Sequence, residues 1–591
     1  MPKRGEPSGE LLPIAAGGLQ VNACRNTACP AFGLPPIPRT EETAAGLPKR
    51  RGRPGQLVTH TFTGREDNRG LSCRQCGHII SLKSNVGVQE ELARARSYLE
   101  APSPLQCANR DCDSRNAGEP SFQKFGKTKC GSPRVRCRTC GRTQSMPVAP
   151  TWRQKAADKN EILLSLLVNK VPMRRILEVA GVGPQTLYRK IEFFEQQCLA
   201  FAAAHESRLS SMEFGHVDLA TDRQDYLVNW GSHLNRLSFM VRAVATAERR
   251  SGFVLGIHPN FDPGIGAVEV EHMARLNGDV SREPYARQRP RFWLLSDYAR
   301  TANRREENAA RSGAEVQDQR TRARSFDSSD PFDEHFVQTA PSRGVQVRQE
   351  YVLMAHFLLL DEFFRRARRV TLFMDQDAGL RTAALVGFNE RIRRGELEAF
   401  HVRAEKELTV DQRDQSLARS ERALQQFMTK HPGLSRTDAA VLWLKEVIAG
   451  VLQDGKNPTP WAQHPLCDRA EPGKCISVLT VRAQNDTEQL AKAALTAGLK
   501  PIDRFFMSIR RRISLLERPI STPSNAQRTC HIYAPYNPAV ACQLLNIFRV
   551  VYNYHLGGAQ DKATPAMRLG LVDRRIPLAD IIGMPRRTPT D

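Results

Sequence analysis

Two stretches decide the fold: Phe214-Gly-His-Val-Asp218-Leu219 and Val370-Thr-Leu-Phe-Met374-Asp375. Each is a short apolar run that carries an acid or ends on one, the pattern of a buried strand. Between them, Arg236 to Ala245 alternates as a second strand, with Leu237, Phe239, Val241 and Ala243 on one face, and Ser251 to Ile257 reads as a third. A helix rich in Leu and Phe spans Gln346 to Arg366, and Ala399-Phe-His-Val-Arg403 is a fifth strand. Three strands, a helix, then alternating strands and helices predict an α/β domain with a mixed sheet. Much later, Pro501-Ile-Asp503-Arg-Phe-Phe-Met-Ser-Ile-Arg510 opens a further helix.

Three acids thus stand on elements of one domain: Asp218, Asp375 and Asp503. Phosphodiester hydrolysis and strand transfer call for such a set, because two Mg²⁺ ions about 4 Å apart serve the attacking and the leaving oxygen. Hard ions take oxygen ligands, and Mg²⁺ keeps much of its water, so few carboxylates suffice. Asp is also common at strand ends and helix caps. Asp222 is therefore an alternative to Asp218, Asp377 to Asp375, and Glu517 to Asp503.

The N-terminal part has another chemistry. Nine of the fourteen cysteines lie in the first 140 residues. Cys24-Arg-Asn-Thr-Ala-Cys29 and Cys73-Arg-Gln-Cys76-Gly77 recur as Cys107-Ala-Asn-Arg-Asp-Cys112 and Cys137-Arg-Thr-Cys140-Gly141. Each unit offers four thiolates, and tetrahedral zinc takes four soft ligands, which leaves no open position and makes the metal structural. The reading is two tandem zinc ribbons with one zinc each. Cys130, Cys198, Cys467, Cys475, Cys530 and Cys542 read as plain thiols, although Cys467 and Cys475 could form a further half-site. The first ribbon is interrupted by Lys49-Arg50-Arg51-Gly52-Arg53-Pro54-Gly55, which resembles an AT-hook. In that reading Arg51 and Arg53 enter an A·T-rich minor groove; a solvated basic linker is the alternative.

After Pro150 the pattern turns helical. Pro172 to Ala180, the turn Gly181-Val182-Gly183 and Pro184 to Ile191 have the layout of a helix-turn-helix. Val182, Leu187 and Ile191 are expected in its core, leaving Gln185, Thr186, Tyr188, Arg189 and Lys190 for a DNA groove. Charge supports a polyanion partner. The 591 residues carry a formal net charge of +23, and neutralised phosphates release counterions. No run approaches the roughly 18 apolar residues of a membrane span, and the basic start Met1-Pro2-Lys3-Arg4 leads into no apolar signal core, so neither a membrane nor a secreted protein is expected.

The chain resembles bacterial insertion-sequence transposases of the DDE/D type. The resemblance rests on the ribbon ending Val135-Arg-Cys-Arg-Thr-Cys-Gly-Arg-Thr-Gln-Ser145, on the helix-turn-helix after it, and on Ile502-Asp503-Arg504-Phe505-Phe506 with Arg510 two turns on. Glu517-Arg-Pro519, Tyr536-Asn-Pro538 and Tyr552-Asn553-Tyr554 resemble the closing helix of such enzymes. The resemblance implies an RNase H-like core in which Asp218, Asp375 and Asp503 bind two Mg²⁺ ions and Arg510 contacts phosphate. It also implies double-stranded DNA, both terminal repeats and target, as partner, an oligomer across paired ends, and a place in the bacterial cytoplasm on the nucleoid. A non-catalytic DNA-binding regulator derived from a transposase is the alternative.

The expected organisation is a first zinc ribbon over 15–85 and a second over 100–150, then the helix-turn-helix over 155–208. The core follows over 211–405, with a charged insertion at about 260–343. A mainly helical insertion covers 406–475, the last part of the core 476–560 and a tail 561–591. By analogy the second insertion binds DNA ends; a packing or dimer helix pair is the other reading.

Overall fold

The structure is a computed structural model. It describes residues 12–38, 57–64, 69–100, 107–109, 111–113, 122–129, 131–145, 150–151, 154–230, 238–298, 343–482, 486–518, 520–521, 529–530 and 534–584. Arg51 and Arg53 lie outside the described residues. The chain divides into two compact units. The first comprises Met1–Ala95, Ser210–Phe506 and Pro535–Ala539; the second comprises Arg96–Leu209, Met507–Ala534 and Val540–Asp591.

The first unit is built on a seven-stranded mixed sheet. Its strands are β1 (Phe214–Asn229), β2 (Ser238–Glu248), β3 (Val254–Pro259), β4 (Ala367–Met374), β5 (Leu397–Arg403), β6 (Ala462–Gln463) and β7 (Cys475–Val478). They lie in the order β6-β7-β5-β4-β1-β2-β3. β1, β4 and β5 run parallel, and β2, β3, β7 and β6 are antiparallel to their neighbours. Buried parallel strands need apolar residues on both faces. β4 meets this with Val370, Leu372, Phe373 and Met374, and β5 with Leu397, Ala399, Phe400 and Val402, all buried. Helix α1 (Gln349–Phe363) connects β3 to β4 and packs on β2 and β3; α2 (Ala378–Gly387) lies between β4 and β5.

Between β5 and the late helix the described residues form further helices and strands. A hairpin of α3 (Val410–Lys430) and α4 (Arg436–Gln453) returns through β6 and β7, which extend the sheet beyond β5. Its start is fixed by a capping box, in which the Thr409 hydroxyl accepts from the Gln412 N–H and the Gln412 side chain accepts from the Thr409 N–H. Helix α5 (Thr487–Leu495) packs on α4 and β5, and α6 (Lys500–Arg512) follows. The described part of the earlier insertion is tied down as well. Arg287 and Arg348 both reach the Asp297 carboxylate, at 2.6 and 2.7 Å, and Arg291 joins Glu91 to Asp262.

The first ribbon belongs to this unit and rests on the sheet domain. Thr27 Oγ1 donates to the Leu479 carbonyl at 3.0 Å, and Asn457 Nδ2 donates to Asn26 Oδ1 and Thr27 Oγ1 at 2.7 and 2.9 Å. The Ser84 N–H donates to the Tyr351 hydroxyl, and Lys83 pairs with Glu350 at 2.9 Å.

The second unit contains helices Asn160–Leu167, Met173–Ala180 and Pro184–Glu206, the last two joined through the turn at 181–183. Gly181 caps Met173–Ala180 in the left-handed conformation at φ 58°, which a Cβ would disfavour. The unit also buries an ion pair of Arg549 with Glu206 at 2.8 Å; Tyr98 donates to Glu206 at 2.6 Å. Among the described residues, no helix is long and apolar enough to cross a membrane.

Candidate functional sites

Each ribbon brings four cysteines together. Among the described residues, only Cys24, Cys29, Cys73, Cys76 and Cys107, Cys112, Cys137, Cys140 form groups of metal-ligating atoms within 4.8 Å of one another. Sulfurs are 3.6 Å apart for Cys24–Cys76, 3.9 Å for Cys29–Cys73, 3.4 Å for Cys107–Cys140 and 3.7 Å for Cys112–Cys137. A tetrahedron with Zn–S bonds of about 2.3 Å has sulfurs about 3.8 Å apart, so both groups fit zinc. The backbone repeats too. Gly77 N–H donates to the Cys73 carbonyl and Gly141 N–H to that of Cys137, with both glycines at φ 70°. That conformation turns the chain sharply enough to face both thiols of the knuckle inward. Cys467 and Cys475 join no such group.

The helix-turn-helix residues separate into two sets. Leu187 and Ile191 are buried as expected, and Val182 is half-buried. Gln185, Tyr188 and Arg189 are exposed and Thr186 is half-buried. Lys190 differs from the expectation: it is 2% exposed. Its ammonium donates to Gln154 Oε1 at 2.9 Å, the Ala156 carbonyl at 2.9 Å and Asn160 Oδ1 at 2.5 Å. Burial holds its pKa below the usual lysine value. A long stem one turn before the core residue Phe194 reaches back under the first helix rather than outward, which a charge pattern alone does not reveal.

The acids of the sheet unit also sort by position. The β1–β4 register pairs Asp218 with Thr371 and Thr221 with Met374. Asp218 therefore sits midway along the parallel pairing, and Thr221 at its end. Its Oδ1 lies 3.2 Å from His216 Nε2, and it lines a cavity of about 680 Å³ with Arg250, Arg369 and Glu398. Asp375, just past β4, donates its N–H to the Thr221 carbonyl at 3.4 Å. The next residue of β1 is Asp222. The structure thus brings Asp375 beside Asp222, four residues along the strand from Asp218, or about 13 Å at 3.3 Å per residue.

Asp503, on α6, acts on the same place. Burial pushes the Asp222 carboxyl up to about 8, and the charges of Asp375 and Asp503 add to the rise; the Arg223 N–H and Lys406 oppose it. Lys406, in the loop after β5, pairs with Asp375 at 3.3 Å. Burial works against its charge, but the three carboxylates Asp375, Asp222 and Asp503 hold its pKa above the usual lysine value. The loop turns there through Glu407 at φ 60°, a conformation that costs a non-glycine residue roughly 1 kcal/mol. The oxygens of the three acids do not close to within 4.8 Å of one another.

The alternatives have other partners. Asp377 caps α2, accepting from the Gly379 and Leu380 N–H groups, and pairs with Arg223 at 2.8 Å. Glu517 and Arg510 belong to the second unit. Glu517 pairs there with Lys170 at 2.9 Å, and the Lys170 ammonium also donates to the Arg510 carbonyl at 2.8 Å.

Three histidines of the sheet unit had no sequence signal. His401 pairs across the sheet with Met374, is 6% exposed and stacks on Trp461. Burial, with Arg381, lowers its pKa to about 4, against the pull of Asp375 and Asp377. On the other face of β1 from Asp222, Thr221 Oγ1 bonds Thr246 Oγ1 at 2.6 Å. Thr246 Oγ1 bonds His356 Nε2 at 2.7 Å, and His356 Nδ1 meets His258 Nδ1 at 2.8 Å. This chain ties β1, β2, β3 and α1 together directly beneath the acid.

Compared with protein-family models and with curated proteins, the chain matches none.

Proposed function

We propose that this chain is a DNA transposase whose RNase H-like core cuts element ends and joins them to target DNA, with Asp222, Asp375 and Asp503 as its acid set. One observation carries the reading: an acid in the middle of the central strand lies beside an acid at the end of the neighbouring parallel strand, and a third, from a late helix, adds its charge at the same place. Asp222 replaces Asp218 because Asp218 lies too far back along β1.

The strand order supports an RNase H-like core, since β3-β2-β1-β4-β5 places the three antiparallel strands first and the two parallel ones after them. The helical hairpin before the third acid suits it as well. The donor set fits magnesium in its chemistry: the ligands are hard oxygens, and Asp222, raised first by burial and then by the charges of Asp375 and Asp503, is a carboxyl that a cation would help to ionise. Magnesium bound there would supply Lewis acidity to the attacking and leaving oxygens of a phosphodiester. The chain itself provides the frame. Asp377 and Arg223 fix the start of α2 and with it the turn that holds Asp375. Lys406 offers a cation at the mouth of the cluster for a non-bridging phosphate oxygen.

DNA binding falls to the exposed residues Gln185, Tyr188 and Arg189 and to the excess of basic residues. The experiment is Mg²⁺-dependent nicking of supercoiled DNA by the full chain. Asp222→Asn, Asp375→Asn and Asp503→Asn are expected to abolish nicking, while Asp218→Asn retains it. Nicking by Asp222→Asn at the wild-type rate would end the assignment, and no nicking by the wild type would favour a DNA-binding regulator.

A further inference from the structure

The two ribbons share a cysteine plan but not a setting. The first is joined to the sheet domain through Thr27, Asn26, Lys83 and Ser84. The second keeps a sheet face in solvent. Its strands Phe122–Lys127, Pro133–Cys137 and Thr143–Ser145 pair so that Gln123 opposes Arg136 and Arg136 opposes Thr143. Alternation sends Val135 and Cys137 to the zinc side, both buried, and Arg134 and Arg136 to the other. Phe125 lies on that outer side, 42% exposed, and both guanidiniums stand over its ring, at 5.4 and 5.7 Å from the centroid.

We infer that this outer face, centred on Phe125, Arg134 and Arg136, grips the phosphate backbone of double-stranded DNA; the inference rests on the DNA-binding reading above. An exposed phenyl ring between two guanidiniums holds two long side chains in place before any partner arrives. One N–H of each is already used: Arg134 Nη2 donates to Thr143 Oγ1 and Arg136 Nε to the Gly141 carbonyl, both at 3.1 Å. The rest of each planar fork is left for phosphate oxygens, which it matches in geometry. No carboxylate among the described residues pairs with either arginine, and Lys124 and Lys127 stand on the adjacent strand without one as well. Two residues along a strand set the guanidiniums about 6.8 Å apart at their bases, a step that serves successive phosphates. The docked first ribbon instead braces the sheet domain.

The test measures binding of the full, zinc-loaded chain to a mixed-sequence duplex of about 30 base pairs across a salt series, without magnesium. Each lost phosphate contact lowers the slope of log K against log salt by about 0.9, so Arg134→Ala/Arg136→Ala is expected to flatten it by about 2. Affinity is expected to fall by roughly tenfold per arginine. Phe125→Leu is expected to weaken binding a few-fold and leave the slope alone. Zinc content is measured alongside, and Arg134→Gln/Arg136→Gln serves if the alanine pair loses metal. Unchanged affinity and slope in the double variant would overturn the inference. So would loss of binding confined to single-stranded RNA. If the wild type fails to nick DNA while the slope still depends on these arginines, the surface stands and the nuclease reading falls; nicking with an indifferent slope has the opposite meaning.

Discussion

The hydrogen-bonded chain under β1 makes the sheet domain sensitive to acid. His356 is fully buried and its pKa is lowered to about 3 by burial alone. In the unfolded chain its ordinary value is about 6.5. A depressed folded value means that stability is complete above pH 6.5 and is lost as pH falls toward 3, because the unfolded chain takes up a proton that the fold refuses. Between pH 7 and pH 5 this one ring is worth about 2 kcal/mol. His401, lowered to about 4, and His464, lowered to about 3, act in the same direction. Asp222, held high, acts in the opposite one. All three remain in a His356→Gln variant, so a comparison with wild type isolates the one ring. The glutamine can still bond Thr246 but takes no proton. The assay is thermal melting at pH 7 and pH 5, followed by tryptophan fluorescence. Trp230, Trp293, Trp443 and Trp461, four of the five tryptophans, lie in the sheet unit and report on it. The variant is expected to melt lower at pH 7, from lost packing, yet to lose a few degrees less than wild type on acidification. Equal acid losses in the two proteins would refute a neutral, buried His356.

Three other outcomes follow from particular contacts. Lys190→Met removes the donor from the buried Asn160 Oδ1 and from the Ala156 carbonyl, while Gln154 Oε1 keeps the Asn160 Nδ2 donor; a buried group left unsatisfied costs about 1–3 kcal/mol. Hydrogen exchange over 154–191 should accelerate while the salt slope of DNA binding stays put; Arg189→Ala should do the reverse. Zinc analysis should give two ions per chain. Cys73→Ser should leave one and lower the melting of the tryptophan-bearing unit, whereas Cys137→Ser should leave one and spare that transition. Arg549→Met strands the Glu206 carboxylate in the interior; the loss of about 3–5 kcal/mol should appear as a lower melting transition of the second unit by calorimetry.

The ribbons were legible in the sequence because their information is local. Two or four residues between cysteines and a glycine after each knuckle specify the geometry without reference to the rest of the chain. The strands were legible for the same reason: Val370, Leu372, Phe373 and Met374 are apolar on both sides of the strand because both faces are covered. Asp222 was harder. The first strand reads as a short run around Val217 to Leu219, but it continues to Asn229, and its pairing partner lies about 150 residues away. Which of two acids on that strand meets Asp375 is a question of register, and register is set by tertiary pairing. Asp377 was ambiguous because a cap and a ligand are the same residue in the same kind of place; only its bonds to Gly379, Leu380 and Arg223 distinguish them. The docking of the first ribbon left no trace in the sequence, since Asn26, Thr27 and Asn457 are ordinary polar residues until they meet.

The position of Asp503 on a helix that follows the hairpin matters during synthesis. Asp222 and Asp375 become neighbours once β1 and β4 pair, but the third acid leaves the ribosome only after another hundred or so residues, and domains fold as their sequence emerges. A growing chain therefore lacks the third carboxylate, and the charge it adds beside Asp222, until the helix after the hairpin has been made and has packed.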